Sequence, residues 1–109
     1  MAYKIKKDRH FKARVHIITP GENGGEDTQS FTAILRQIPN NSLGDLDSDI
    51  KIAEAVLVGA EGIQDEDGND IPSEDARDLV LDDMYAVPAV AAVFLKSRNR
   101  SLDKIRKSA

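Results

Sequence analysis

The sequence predicts an α+β domain: small antiparallel β-hairpins packed with about three to four α-helices. Three observations carry this reading. Two early segments alternate apolar and polar residues with the period of a strand, whereas apolar residues further on recur every three or four positions, as on a helix face. In addition, glycine and proline clusters punctuate the chain where the period changes. A chain of 109 residues holds one domain and can bury about two-thirds of its unfolded surface, enough for a modest core. The expected unit is therefore 1–109, with basic tails at 1–10 and 99–109.

The first strand is "FKARVHIITP", in which Phe11, Ala13, Val15 and Ile17 share one side and Lys12, Arg14 and His16 the other; Pro20 stops it. "SFTAILRQIP" repeats the pattern with Phe31, Ala33 and Leu35, and ends at Pro39. The connection "GENGGEDTQ" reads as a flexible link longer than a tight hairpin loop, and the two strands pair antiparallel most simply. Leu43, Leu46, Ile50, Ala53 and Leu57 then line one helical face. Ser42 or Asp45 is the expected N-cap, Asp47 and Asp49 favour the positive end of the helix dipole, and Gly59 marks the helix end. In "PSEDARDLVLDDM", Ser73 is the expected N-cap of a second helix, striped by Ala76, Leu79 and Val80. A third begins with Pro88 as its first residue and is apolar on every side from Val87 to Leu95. Such a helix is deeply buried or part of an interface, and Ala89, Ala91 and Ala92 permit close approach by a partner.

Charge is segregated. The net charge is −4, yet residues 1–14 and 96–109 hold all the basic residues except Arg36, Lys51 and Arg77. Of the nineteen acidic side chains, all but Asp8 and Asp103 lie between those ends. The basic ends read as solvating tails that pair with the acidic body, or as docking elements for an acidic partner. Nucleic acid is disfavoured, because the body repels phosphate and neither end interleaves aromatics for base stacking. The absence of cysteine excludes disulfides, thiolate metal sites and a cysteine nucleophile. The N-terminus lacks the apolar core of a secretory signal, and no apolar run approaches the roughly 20 residues of a membrane span. The expectation is a soluble intracellular protein.

The stretch "GIQDEDGNDIPSEDARDLV" raises the question of a calcium loop. With Gly68 at the sixth position of an EF-hand, Asp65, Asp67 and Glu74 take the third, fifth and twelfth. Ile63 then occupies the first ligand position, Asp70 the normally apolar eighth and Pro72 the tenth. A turn explains the stretch without a metal: Gly68 supplies a positive φ, Ile63 and Ile71 point inward from a small hairpin, and Pro72-Ser73 starts the next helix. "GENGG" lacks the Lys-Ser/Thr ending of a phosphate loop and sits among acids. His10 and His16 have no third ligand at a metal spacing. Asp82 and Asp83 diverge as neighbours and make no acid–base pair. No catalytic residue, metal site or cofactor is assigned, and the expected mode of action is non-enzymatic.

The order of elements does resemble a known family. "FTAILR" in the strand pair precedes an acidic helix, then "EAVLVGAEGIQDEDGNDIPSEDARDLVLD", "MYAVPAVAAVFLKS" and a basic end follow. The whole resembles the tail assembly chaperones of long-tailed bacteriophages and prophages, small proteins encoded just before the tape measure protein. The run V-G-x-E-G-I-x-D-x-D-G-x-x-I-P, meeting a helix, carries most of the likeness. Ala60 stands where relatives often have an aromatic residue, and Ser73 where a small aromatic or apolar residue is expected.

The resemblance implies a binding role in the host bacterial cytoplasm during tail assembly. It implies a protein that keeps the tape measure protein soluble, helps recruit tail tube protein, and is absent from the mature virion. A longer frameshifted form would engage the tube protein, and self-association is left open. Under this reading Val87, Val90, Phe94 and Leu95, with Leu79, form either the client groove or the core that supports it. Arg98, Arg100, Lys104 and Arg106 would be its rim. Two rival expectations are a head–tail or tail-completion protein retained in the particle, and a nucleic-acid-binding regulator working through the basic ends.

Overall fold

Strand-period alternation becomes a sheet at the start of the chain. The computed structural model describes residues 9–39 and 44–108, with residues 100–108 as helical backbone only. Strand β1 (His10–Pro20) pairs antiparallel with β2 (Glu26–Arg36) in unbroken register, from His10 opposite Arg36 to Pro20 opposite Glu26. The register puts Phe11 beside Leu35, Ala13 beside Ala33 and Val15 beside Phe31 on one face. That face is buried on β2 and buried or half-buried on β1; the opposite face carries Lys12, Arg14 and His16 against Ile34, Thr32 and Ser30. One-sided burial is what the period of two encodes.

The link between these strands is shorter than its composition suggests. Glu26 to Gln29 belong to β2, so the loop is only Gly21 to Gly25. Gly21 N–H donates to the Gly25 carbonyl at 2.7 Å, and Gly24 takes φ of 83°. A backbone closed by its own hydrogen bond tolerates acidic side chains because they point to water.

Helix α1 (Asp49–Val56) is followed without a break by β3 (Leu57–Glu61), which pairs antiparallel with β2, so the sheet order is β1-β2-β3. This corrects the expected helix over Leu43 to Leu57 ended by Gly59. Ser48 is the N-cap, its hydroxyl accepting from Lys51 N–H at 3.4 Å, instead of Ser42 or Asp45. Leu43 and Ser42 lie outside the described residues. The carbonyls at the end of α1 are satisfied from elsewhere in the fold. Arg36 Nε donates to Ala55 O at 2.6 Å; Arg77 Nε donates to Leu57 O at 2.7 Å and its Nη2 to Glu54 O at 3.2 Å. Two cations thus complement the negative end of a helix that has no basic residue in its own last turn.

Helix α2 (Ser73–Leu81) packs on β3, and helix α3 (Ala86–Ser108) packs on α1 and β1. The N-cap position of α2 is Pro72, with no side-chain cap; Ser73 is already helical and turns its hydroxyl toward Gly59 of β3. Pro88 is the third residue of α3, still in the first turn, where a missing N–H costs no intrahelical bond. The expected basic tail from residue 99 is a continuation of this helix through Ser108. Residues 1–8 lie outside the described residues.

The three-stranded antiparallel sheet and three helices make an α+β fold with one core. Val15, Ala33, Leu35, Ala53, Val56, Ala60, Ala76, Val90 and Ala91 are fully or almost fully buried in it. No polar or charged side chain is buried among the described residues. None of the described helices is long and apolar enough to cross a membrane.

Candidate functional site: a cleft at a helix corner

The acidic stretch forms a miniature hairpin between β3 and α2. Gln64 and Asp70 form a bridge, and Ile71 N–H donates to Ile63 O at 3.0 Å. Asp65 Oδ1 accepts from the backbone N–H groups of Asp67 and Asn69, both at 2.9 Å, and Gly68 closes the turn with φ of 83°. The Asn69 N–H holds the Asp65 carboxyl below its ordinary range; desolvation opposes it, and the Asp67 N–H adds a smaller lowering. Ile63 and Ile71 are half-buried against the core. The turn therefore engages Asp65 as a structural acceptor, and no group of three or more His, Asp or Glu converges among the described residues.

This hairpin forms one wall of a cleft of about 540 Å³. Ile17, Phe31, Ile63, Leu79, Val80 and Ala86 give it apolar lining; Gln29, Ser30, Gln64, Asp65 and Asp83 add polar groups. Asp83 has a second task. Its Oδ1 accepts from Tyr85 N–H at 2.8 Å and Ala86 N–H at 3.0 Å, capping α3 and fixing the corner between α2 and α3. Beside the cleft, Leu79 is 52 % exposed, Met84 76 % and Tyr85 39 %. Three large apolar side chains are thus left exposed within seven residues of sequence.

The residues expected at a partner surface divide. Val87, Val90 and Phe94 are core residues, 8 %, 0 % and 7 % exposed. They belong to the core cluster and support the fold. Leu79 opens into the cleft. Leu95 and Arg98 are exposed on α3 but line neither this cleft nor the groove beside β1. The side chains of Arg100, Lys104 and Arg106 lie outside the described residues. Met84, Tyr85, Ile63 and Asp83 were not singled out as a surface by periodicity. The available signal was "DDMYAV": two large apolar residues in a link between helices have no helix face to serve.

His10 and His16 are both exposed on the open side of β1. Comparison with family models, with curated proteins and with solved structures gives no significant match.

Proposed function

We propose that this chain is a tail assembly chaperone of a long-tailed phage or prophage. It binds the tape measure protein by contact during tail assembly in the bacterial cytoplasm and does no chemistry of its own. The single observation that carries the contact mechanism is the exposure of Leu79, Met84 and Tyr85 at the corner of α2 and α3, where Leu79 also lines a cleft of mixed polar and apolar residues; the sequence resemblance supplies the biological setting. A tape measure protein is long and helical, so its uncovered helices carry apolar stripes. Laying such a stripe over the corner removes apolar surface from water at about 25 cal/mol per Å². Asp65 and Asp83 at the cleft favour a client helix whose stripe is flanked by Lys or Arg. Recruitment of tail tube protein, through a longer frameshifted form, belongs to the same reading, as does absence from the finished particle.

The test is co-expression with the tape measure protein encoded next to this chain. The wild type keeps the client soluble and co-purifies with it; Leu79→Asp and Met84→Asp, each at an exposed position, weaken the association about tenfold or more. Loss of association in both the short and an extended form of the chain would overturn the proposal. Recovery of the chain in stoichiometric amount from purified virions would transfer it to the structural components.

A further inference from the structure

The sheet has an uncovered edge, and its backbone polarity can be read from two bonds. Gly21 N–H donates to Gly25 O, and Gln37 N–H to Arg9 O; both bonds involve odd-numbered residues on the β1 side. With unbroken register between them, the odd-numbered residues of β1 turn their N–H and C=O groups to β2. The even-numbered residues His10, Lys12, Arg14, His16 and Ile18 turn theirs away from it. Pro20, also even, has its missing N–H on that outer side, where an edge strand tolerates proline. No strand lies beyond β1 among the described residues. The opposite edge of the sheet differs: there Arg77 and Ser73 of α2 close over β3.

A groove of about 580 Å³ runs between this edge and α3. On the strand side its lining includes Lys12, Arg14 and His16; on the helix side it includes Ala89, Val93 and Lys96, a stripe spaced for one helix face. No acidic residue lines it. Lys12 is paired with Glu61 across the sheet at 3.0 Å. The Arg14 guanidinium donates to Ser30 Oγ at 2.7 Å and Thr32 Oγ1 at 3.3 Å, neutral acceptors that leave its charge uncompensated.

We propose that β1 binds an extended peptide of alternating acidic and apolar residues as a fourth strand of the sheet. Each feature selects one property of that partner. The outward N–H and C=O groups of alternate β1 residues require a strand. Side chains on the incoming strand's inner face meet small Ala89 and Ala92 and the half-buried Val93, and so are apolar. Those on its outer face lie beside Arg14, whose charge is uncompensated, and so are acidic. A second copy of β1 does not fit, because antiparallel self-pairing about Arg14 sets like charges opposite one another. Nucleic acid satisfies the charge but leaves the strand donors and the alanine floor unused. This site is separate from the client cleft, and the proposal does not rest on the chaperone reading.

The test is fluorescence anisotropy of the full chain with a labelled peptide of alternating glutamate and valine. Two comparison probes are the lysine–valine counterpart and a block-ordered peptide of the same composition. The alternating acidic peptide binds saturably and the other two bind at least about fivefold more weakly. Arg14→Glu and Lys96→Glu each weaken binding roughly fivefold to tenfold, while thermal melts show the variants folded. Amide exchange slows at Lys12, Arg14 and His16 on binding and is unchanged at Leu79. Equal binding of the lysine peptide, no protection on β1, a concentration-dependent dimer in place of the complex, or single-stranded DNA displacing the peptide at lower concentration would each overturn the proposal.

Discussion

Replacing Gly59 by alanine tests the contact that seats α2 on the sheet. Gly59 has no positive φ, so the added methyl meets no backbone strain; what it meets is Ser73. Its Cβ would overlap Ser73 Oγ and lie 3.3 Å from Ser73 O and 3.4 Å from Ser73 Cβ. The hydroxyl can rotate away, an off-minimum torsion costing about 0.5–1.5 kcal/mol, but the carbonyl belongs to the helix and moves only with it. Overpacking of this kind costs about 1–3 kcal/mol, offset by about 0.4–1 kcal/mol from the reduced entropy of the unfolded chain. The expected net loss is about 1–2 kcal/mol, or a melting temperature lower by roughly 5–10 °C. Circular dichroism melts and urea titrations of wild type, Gly59→Ala, Ser73→Ala and the double variant make the cycle. Ser73→Ala removes the colliding oxygen, so the double variant should fall within about 0.5 kcal/mol of Ser73→Ala alone, a coupling of about 1 kcal/mol. Additive losses, or a Gly59→Ala protein as stable as wild type, would refute the packing.

Three other outcomes are expected. Arg77→Ala leaves the carbonyls of Leu57 and Glu54 without their guanidinium donor and costs about 2 kcal/mol in urea titration; Arg77→Lys, a point charge on a different geometry, recovers only part of it. Asp65 should titrate in carbon-detected NMR below its ordinary 3.8. Because the folded-state value is the lower one, its stabilisation of the turn is full above the unfolded value and is lost as pH falls through the folded one; Asp65→Ala should speed amide exchange at Asp67 and Asn69 at neutral pH and remove that dependence. Val90→Ala should cost about 2 kcal/mol through a cavity in the core, whereas Leu95→Ala, at a 38 % exposed position, should stay within about 0.5 kcal/mol of wild type by thermal melt.

Strands β1 and β2 were legible because only one of their faces is buried. Phe11, Ala13, Val15 and Ile17 alternate with Lys12, Arg14 and His16, and the alternation survives into the register opposite β2. Strand β3 had no such signal. Leu57, Gly59 and Ala60 are all buried, since the core takes one side and Ser73 of α2 the other. A strand covered on both sides has no period of two. Its register against β2 also shifts between Ile34 and Leu35, and Leu57 falls in step with the preceding helix. Hydrophobic periodicity thus extended α1 through a segment that tertiary packing turns into sheet. The cap at Ser48 was obscured in the same way, because Ser42, Asp45 and Ser48 are all chemically competent and only the packing of Ile52, Ala53 and Val56 selects among them.

The same conflict between pattern and packing decides where a partner can bind. An apolar run around all sides of a helix says that each side is covered, but not by what. In α3, Val87, Val90, Ala91 and Phe94 face the core, which removes them from any client surface. Ala89, Ala92 and Val93 face the groove beside β1, where smallness counts for more than greasiness. Of the large apolar groups left exposed, α3 keeps only Leu95 among its described residues, and the ones the proposed client contact uses lie before it. They are Leu79 at the end of α2 and Met84 and Tyr85 in the link, where Asp83 turns the chain by capping α3. A corner held by a cap exposes apolar residues at little cost to the core, because nothing behind them depends on their burial. Substitutions at Leu79 and Met84 can therefore separate binding from folding, whereas substitutions at Val90 or Phe94 cannot.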